Sequence, residues 1–193
     1  MKLLLATNNP HKAEEVRSII GSEDIEIVCG SDLGIHVDPE ENGTTFRENA
    51  LAKAKAFALA TGLPTIADDS GLLIDALDGN PGIHTARYAE EHGGFPAVFD
   101  YLRAVLNGKN KTAHFHCCIC YLSSPNSKPR FFEADCPGYL LDQPVGNGGF
   151  GYDPIFHASE PNVDFGIADP EIKNRYSHRG KAVAKLISFL KNA

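Results

Sequence analysis

The chain opens on a short apolar run, Lys2 to Thr7, and then breaks into Asn8, Asn9 and Pro10. This reads as a strand running into a helix, because Asn caps helix starts and Pro fits the first helical turn. Ala13, Val16, Ile19 and Ile20 recur at helical spacing and Gly21 closes the segment, which predicts a first helix. IEIVCG (25–30) reads as a second strand and SDLGIHVDPEENGTT as a polar, turn-rich connection. Thr45 with Glu48 three residues on has the form of a capping box. The Ala-, Lys- and Leu-rich helix it opens stops at Gly62, with Pro64 just beyond.

Pro64 to Asp69 and Leu72 to Leu77 read as strands on either side of Asp68, Asp69, Ser70 and Gly71, and DGNPGIHTARYAEEHGG reads as a loop. Phe95, Val98, Phe99, Leu102, Val105 and Leu106 mark a third helix ended by Gly108. KTAHFHCCICYL and RFFEADCPGYLL have β character and predict a hairpin across SSPNSKP. A Gly-rich stretch, VGNGGFGYDPIF, precedes a last helix bearing Val183, Leu186, Ile187 and Leu190. Helices and strands mix without strict alternation, so the expected fold is α/β with a mixed sheet flanked by helices, one domain over 1–193.

Composition narrows the function more than the fold. A formal net charge of -7 argues against a nucleic-acid partner, while a local basic cluster still leaves room for a small anionic ligand. MKLLLATNNPHK turns polar too soon for a secretory signal, and no apolar stretch approaches the roughly 20 residues that span a bilayer. Five cysteines, three of them within HFHCCIC, do not form a disulfide framework. A cytoplasmic protein without a membrane partner is expected.

Four segments carry chemistry. In Thr7, Asn8, Asn9, Pro10, His11 and Lys12, a strand end enters a helix start, where open backbone N–H groups and the helix dipole bind phosphate. Asp68 and Asp69 are adjacent carboxylates after a strand, and neighbours in a strand point to opposite faces. One can bind Mg²⁺ or act as a base while the other caps a turn, with Glu40 and Glu41 as further acidic candidates; a solvated turn is the alternative. GGFGYDPIF (148–156) can present Phe150 to stack on a base, or simply turn around core aromatics. SHRGK (177–181), preceded by Lys173 and Arg175, can hold an anion or carbonyl, or simply begin a helix. His114, His116, Cys117, Cys118 and Cys120 suggest zinc by type, yet their alternation fits a buried strand.

Taken in order, LLATNNPHK, TFRENALAKA, IADDSGL with NPGIHTARYA, FHC, GGFGYDPIF and SHRGKA cover nearly the whole chain. Together they resemble the inosine triphosphate pyrophosphatase family. The resemblance implies Mg²⁺-dependent hydrolysis of ITP, dITP and XTP to the monophosphate and pyrophosphate, removing deaminated purines from the nucleotide pool. It implies an elongated two-lobed α/β fold with the site in the cleft between the lobes, and a homodimer. By position it makes Asp69 the catalytic carboxylate and, with Glu40, the metal ligand, and places FHC on a strand. Thr7 to Lys12 would hold the triphosphate and Ser70 would touch the substrate. Phe150, Gly151, Tyr152, Asp153, Lys173, His178 and Arg179 would form the nucleotide side, with Phe150 on the base and Arg179 or His178 donating to the 6-carbonyl. Asp68 and Asp69 both remain open as the general base. A non-catalytic nucleotide-binding regulator and a phosphatase releasing orthophosphate are the competing readings.

Overall fold

The computed structural model describes residues 1–21 and 24–192. Its strands are β1 (Lys2–Leu5), β2 (Glu26–Cys29), β3 (Thr65–Ile74), β4 (Thr112–Leu122), β5 (Arg130–Leu140), β6 (Phe156–Ala158) and β7 (Val163–Asp164). Its α-helices are α1 (Pro10–Ile20), α2 (Phe46–Thr61), α3 (Thr85–Glu91), α4 (Phe95–Val105), α5 (Pro170–Tyr176) and α6 (His178–Lys191). The strands form one seven-stranded sheet in the order β2-β1-β3-β4-β5-β6-β7. β1 is parallel to β2 and β3, whereas β5, β6 and β7 pair antiparallel. The expected mixed α/β fold is therefore present.

The chain divides into two compact units: Met1–Asp69, Cys117–Ala134 and Arg179–Ala193 form the first, Ser70–His116 and Asp135–His178 the second. In the first, the period-2 alternation of buried strands feeds two cores. Leu3, Leu5, Ile66, Cys117 and Ile119 point to one face and pack with Ala13 and Val16 of α1 and Val183 and Leu186 of α6. Leu4, Ala6, Ala67, Cys118 and Cys120 point to the other and pack with Ala50, Ala54 and Phe57 of α2. The result is helix, sheet, helix in layers. The second unit has its own core, including Leu72, Ile74, Phe115, Leu102, Tyr152 and Phe156.

The helix ends follow the sequence signals. Asn9 caps α1, Thr45 accepts from the Glu48 N–H at the start of α2, and Gly21 and Gly62 close the two helices in the left-handed conformation. Glu48 completes its box one residue early: its carboxylate accepts from the N–H and hydroxyl of Thr44.

Two expectations are corrected. Asp68-Asp69-Ser70-Gly71 is not a turn between two strands; β3 runs straight through it. Turn-forming residue types yield here to tertiary partners, since both carboxylates are buried and ion-paired. Gly71 lets the strand lie against the following segment, because a Cβ there would stand 2.1 Å from the Gly82 carbonyl oxygen. The stretch read as a loop after Leu77 contains α3. The segment before SHRGK also forms a helix, α5, capped by Asp169, whose carboxylate accepts from the Glu171 N–H at 2.8 Å.

Candidate active site

Parallel pairing places the start of α1 beside the carboxylates. Leu5 of β1 lies opposite Ile66 of β3, so β3 continues past the end of β1, carrying Asp68 and Asp69 towards the β1–α1 junction. The space beyond the carboxyl ends of parallel strands is where α/β sheets bind ligands.

Strand alternation then separates the two aspartates. Asp68 shares the face of Ile66 and meets α1 and α6: Lys12 Nζ is 3.2 Å from its Oδ1, and Arg179 Nε and Nη2 are 3.2 and 3.0 Å from its Oδ2. Asp69 shares the face of Ala67 and meets α2: Lys53 Nζ is 2.8 Å from its Oδ1 and Asn49 Nδ2 is 3.3 Å from its Oδ2. Two adjacent carboxylates thereby acquire separate partner sets on opposite sides of the sheet.

Their protonation chemistry diverges as well. Burial works to raise the pKa of Asp68, but Lys12, Arg179 and Lys53 outweigh it and hold the group well below the ordinary carboxylate range. For Asp69, burial prevails over Lys53 and Lys12, and its pKa stands above the ordinary value. Lys53 is held protonated against its own burial by Asp69, Asp68 and Glu41. Asp68 is thus a fixed anion, and Asp69 a carboxylate with raised proton affinity.

The remaining expected residues fall into three situations. At the β1–α1 junction the N–H groups are already engaged: Asn9 N donates to Thr7 Oγ1, His11 N and Lys12 N donate to Asn9 Oδ1, and Ala13 N donates to the Asn9 carbonyl. The expectation of open N–H groups is corrected for these positions, because Asn9 caps its own helix. Asn8 Nδ2 donates to the Val37 carbonyl at 3.0 Å. The positive charge at this junction comes from Lys12. Arg179 is 2% exposed, with Nε and Nη2 on Asp68 and Nη1 on Glu15. Its guanidinium is a counter-ion within the first unit.

In the second unit, Asp153 organises the glycine-rich stretch. Its Oδ2 accepts from Phe150 N at 2.7 Å and pairs with Lys173 Nζ at 2.6 Å. Lys173 Nζ also sits 5.1 Å from the centroid of the Phe150 ring, a cation–π arrangement. Gly149, at φ +70°, admits this closure, since a Cβ there would lie 2.2 Å from Asp153 Oδ2. Phe150 and Gly151 are half-buried, as is Ser70 in β3. Tyr152 is 1% exposed and donates its hydroxyl to the Thr85 carbonyl, so it belongs to the core. His178 is buried and stacks on Phe115.

Glu40 binds Asn42 within its own loop, whereas Glu41 pairs with Lys53 at 3.0 Å and so joins Asp69 through it. Lys53, Asn49 and Glu15 were not singled out by type in the sequence. The i, i+4 spacing of Asn49 and Lys53 on a predicted helix was the available signal. The strand reading holds for HFHCCIC: Cys117, Cys118 and Cys120 are buried and unbridged, and burial raises their thiol pKa values, Cys117 to about 12. Protonated thiols are poor metal ligands. Among the described residues no three His, Cys, Asp or Glu side chains converge into a cage for a metal ion, and no helix is long and apolar enough to cross a membrane.

The Ham1 family model matches residues 3–189. A dITP/XTP pyrophosphatase of Treponema denticola is 42% identical over all of both chains, and one of Geobacter sulfurreducens is 42% identical, covering 98% of this chain and 96% of its own. A solved HAM1 protein from Coxiella burnetii superposes with a TM-score of 0.89 at 34% identity over all of both chains.

Proposed function

The chain belongs to the Ham1 family, and from that premise we propose that it hydrolyses non-canonical purine nucleoside triphosphates (ITP, dITP and XTP) to the monophosphate and pyrophosphate. Its full-length relatives are pyrophosphatases of dITP and XTP. The observation that carries the reading is the division of the β3 carboxylates: one clamped as an anion, the other buried with raised proton affinity.

The reaction is attack of water at the α–β phosphoanhydride with pyrophosphate as leaving group. Asp69 accepts the water proton, a role for which a carboxylate of raised pKa is suited. Asp68 stays ionised, and holding both Lys12 and Arg179 it fixes the Lys12 ammonium where it offsets triphosphate charge. We assign Phe150 to the base by stacking. The buried Asp153–Lys173 pair supports that ring from below, and His178 with loop N–H groups donates to the 6-carbonyl. An amine at position 6, as in adenine, would meet a donor instead of an acceptor there, a costly mismatch.

Mg²⁺ is the cofactor we propose. Mg²⁺ on a phosphate substrate takes only one or two protein carboxylates beside phosphate oxygens and water, and the oxygen donors Asp69 and Glu41, joined through Lys53, fit that need. Glu40, bonded to Asn42, lies one residue away as the alternative. When bound, the cation would neutralise charge building on the phosphates. We further propose a cytoplasmic homodimer; the five buried free thiols accord with a reducing compartment.

The test is product analysis with ITP, dITP, XTP, ATP and GTP plus Mg²⁺. The expected outcome is equimolar monophosphate and pyrophosphate from the first three and little turnover of the last two. Orthophosphate as product would favour the phosphatase reading, and binding without turnover the regulator.

A further inference from the structure

TFRENALAKA of α2 is the motif to which the assignments above give no task. Two of its side chains, Asn49 and Lys53, lie one helical turn apart on the face turned to Asp69, both nearly buried. Asn49 works in both directions: its Nδ2 donates to Asp69 and its Oδ1 accepts from Gly43 N at 2.8 Å. Lys53 likewise reaches two ways, 2.8 Å to Asp69 Oδ1 and 3.0 Å to Glu41 Oε2. The loop is pressed onto the helix at Gly43, where a Cβ would lie 2.6 Å from Asn49 Oδ1 and 2.7 Å from Glu48 Cβ. The acidic loop is therefore tied to α2 at two points, and both ties end on Asp69.

The charges have a consequence. Asp69 and Glu41 are brought to one ammonium, which partly neutralises them and takes up an oxygen of each. A divalent cation entering between the same carboxylates would meet that ammonium at close range, and like charges repel strongly in a weakly screened site. A triphosphate brings several negative charges and fresh oxygen ligands, which reverses the balance. Resting on the pyrophosphatase reading, we propose that Lys53 is a positioning residue that stands in for the divalent cation between Asp69 and Glu41, so that metal binds tightly only together with nucleotide. Lys53 keeps Glu41 drawn in while the metal is absent and is relieved of that task when the nucleotide–metal complex arrives.

The test reads metal binding directly, by the electron paramagnetic resonance of free Mn²⁺ titrated with protein. Wild type alone should bind Mn²⁺ weakly, and a non-hydrolysable α,β-methylene analogue of ITP should tighten binding by about a hundredfold. Lys53→Met should bind Mn²⁺ without nucleotide about tenfold more tightly than wild type, whereas Lys53→Arg, which keeps the charge, should stay weak. Mn²⁺ binding by wild type that is equally strong, or equally weak, with and without the analogue would overturn the proposal. A folded Lys53→Met protein no tighter than wild type would do the same. The wild-type comparison needs no variant, so a failure of Lys53→Met to fold leaves the proposal refutable. Pyrophosphate release from ITP by wild type tests the underlying reading separately: a chain that releases it yet binds Mn²⁺ tightly without nucleotide refutes the role of Lys53 alone.

Discussion

Asp68 and Asp69 are chemically identical neighbours made different by one peptide step along a strand. Asp68 neutralises Arg179 and Lys12 in a site where both members of the Arg179 pair are 2% exposed. Removing one partner of such a pair leaves an uncompensated buried charge, so Asp68→Asn should lower unfolding free energy by about 3–5 kcal/mol, measured by urea denaturation. Because its folded pKa lies below the unfolded value, its contribution is fully present above pH about 4 and is lost progressively as pH falls from there through its lower folded pKa. Wild type should therefore lose stability below pH about 4 more steeply than the variant does. For Asp69 the sign reverses: ionisation is disfavoured by the fold, so its contribution to stability declines as pH rises through its folded pKa. As the proposed base, it should also set the acid limb of kcat/KM above pH about 4, the value of an ordinary aspartate. Arg179→Ala should act first on stability, for its nitrogens serve Asp68 and Glu15. Strand alternation made the separation of the aspartates legible from sequence. Their partners were not, since Arg179 is 111 positions from Asp68, a distance no local pattern spans.

At the level of elements, caps and periodicity carried well. Asn9, Thr45, Gly21 and Gly62 sit where their chemistry predicts. Asn9→Ala should remove the acceptor for two N–H groups of α1 at a cost of about 1 kcal/mol, seen as a fall in Tm of about 2–4 °C. No change in Tm would mean that water or a neighbour replaces the cap. Local preferences alone predict two strands where β3 is one, because Asp, Ser and Gly favour turns. The long-range cations that stabilise them in a strand are invisible in that window. α3 and α5 are not predicted for another reason: each spans only seven residues, too short to establish a helical period.

Over the whole molecule, the chain passes between two units with separate cores at four steps: Asp69–Ser70, His116–Cys117, Ala134–Asp135 and His178–Arg179. Two of these steps, Asp69–Ser70 and His178–Arg179, fall inside motifs singled out for chemistry. The family motifs thus mark the fold and the candidate site together, while the bulk charge of -7 conceals the buried Lys53, Lys173 and Arg179. Within the first unit the carboxylates of β3 are set between helices of opposite faces, and the function proposed depends on the two doing different work. The direct test is pyrophosphate release from ITP by Asp69→Asn, with circular dichroism and Tm recorded on the same sample. The account predicts a folded protein whose turnover falls by about 10²-fold or more. Near-normal turnover by that folded variant would contradict it.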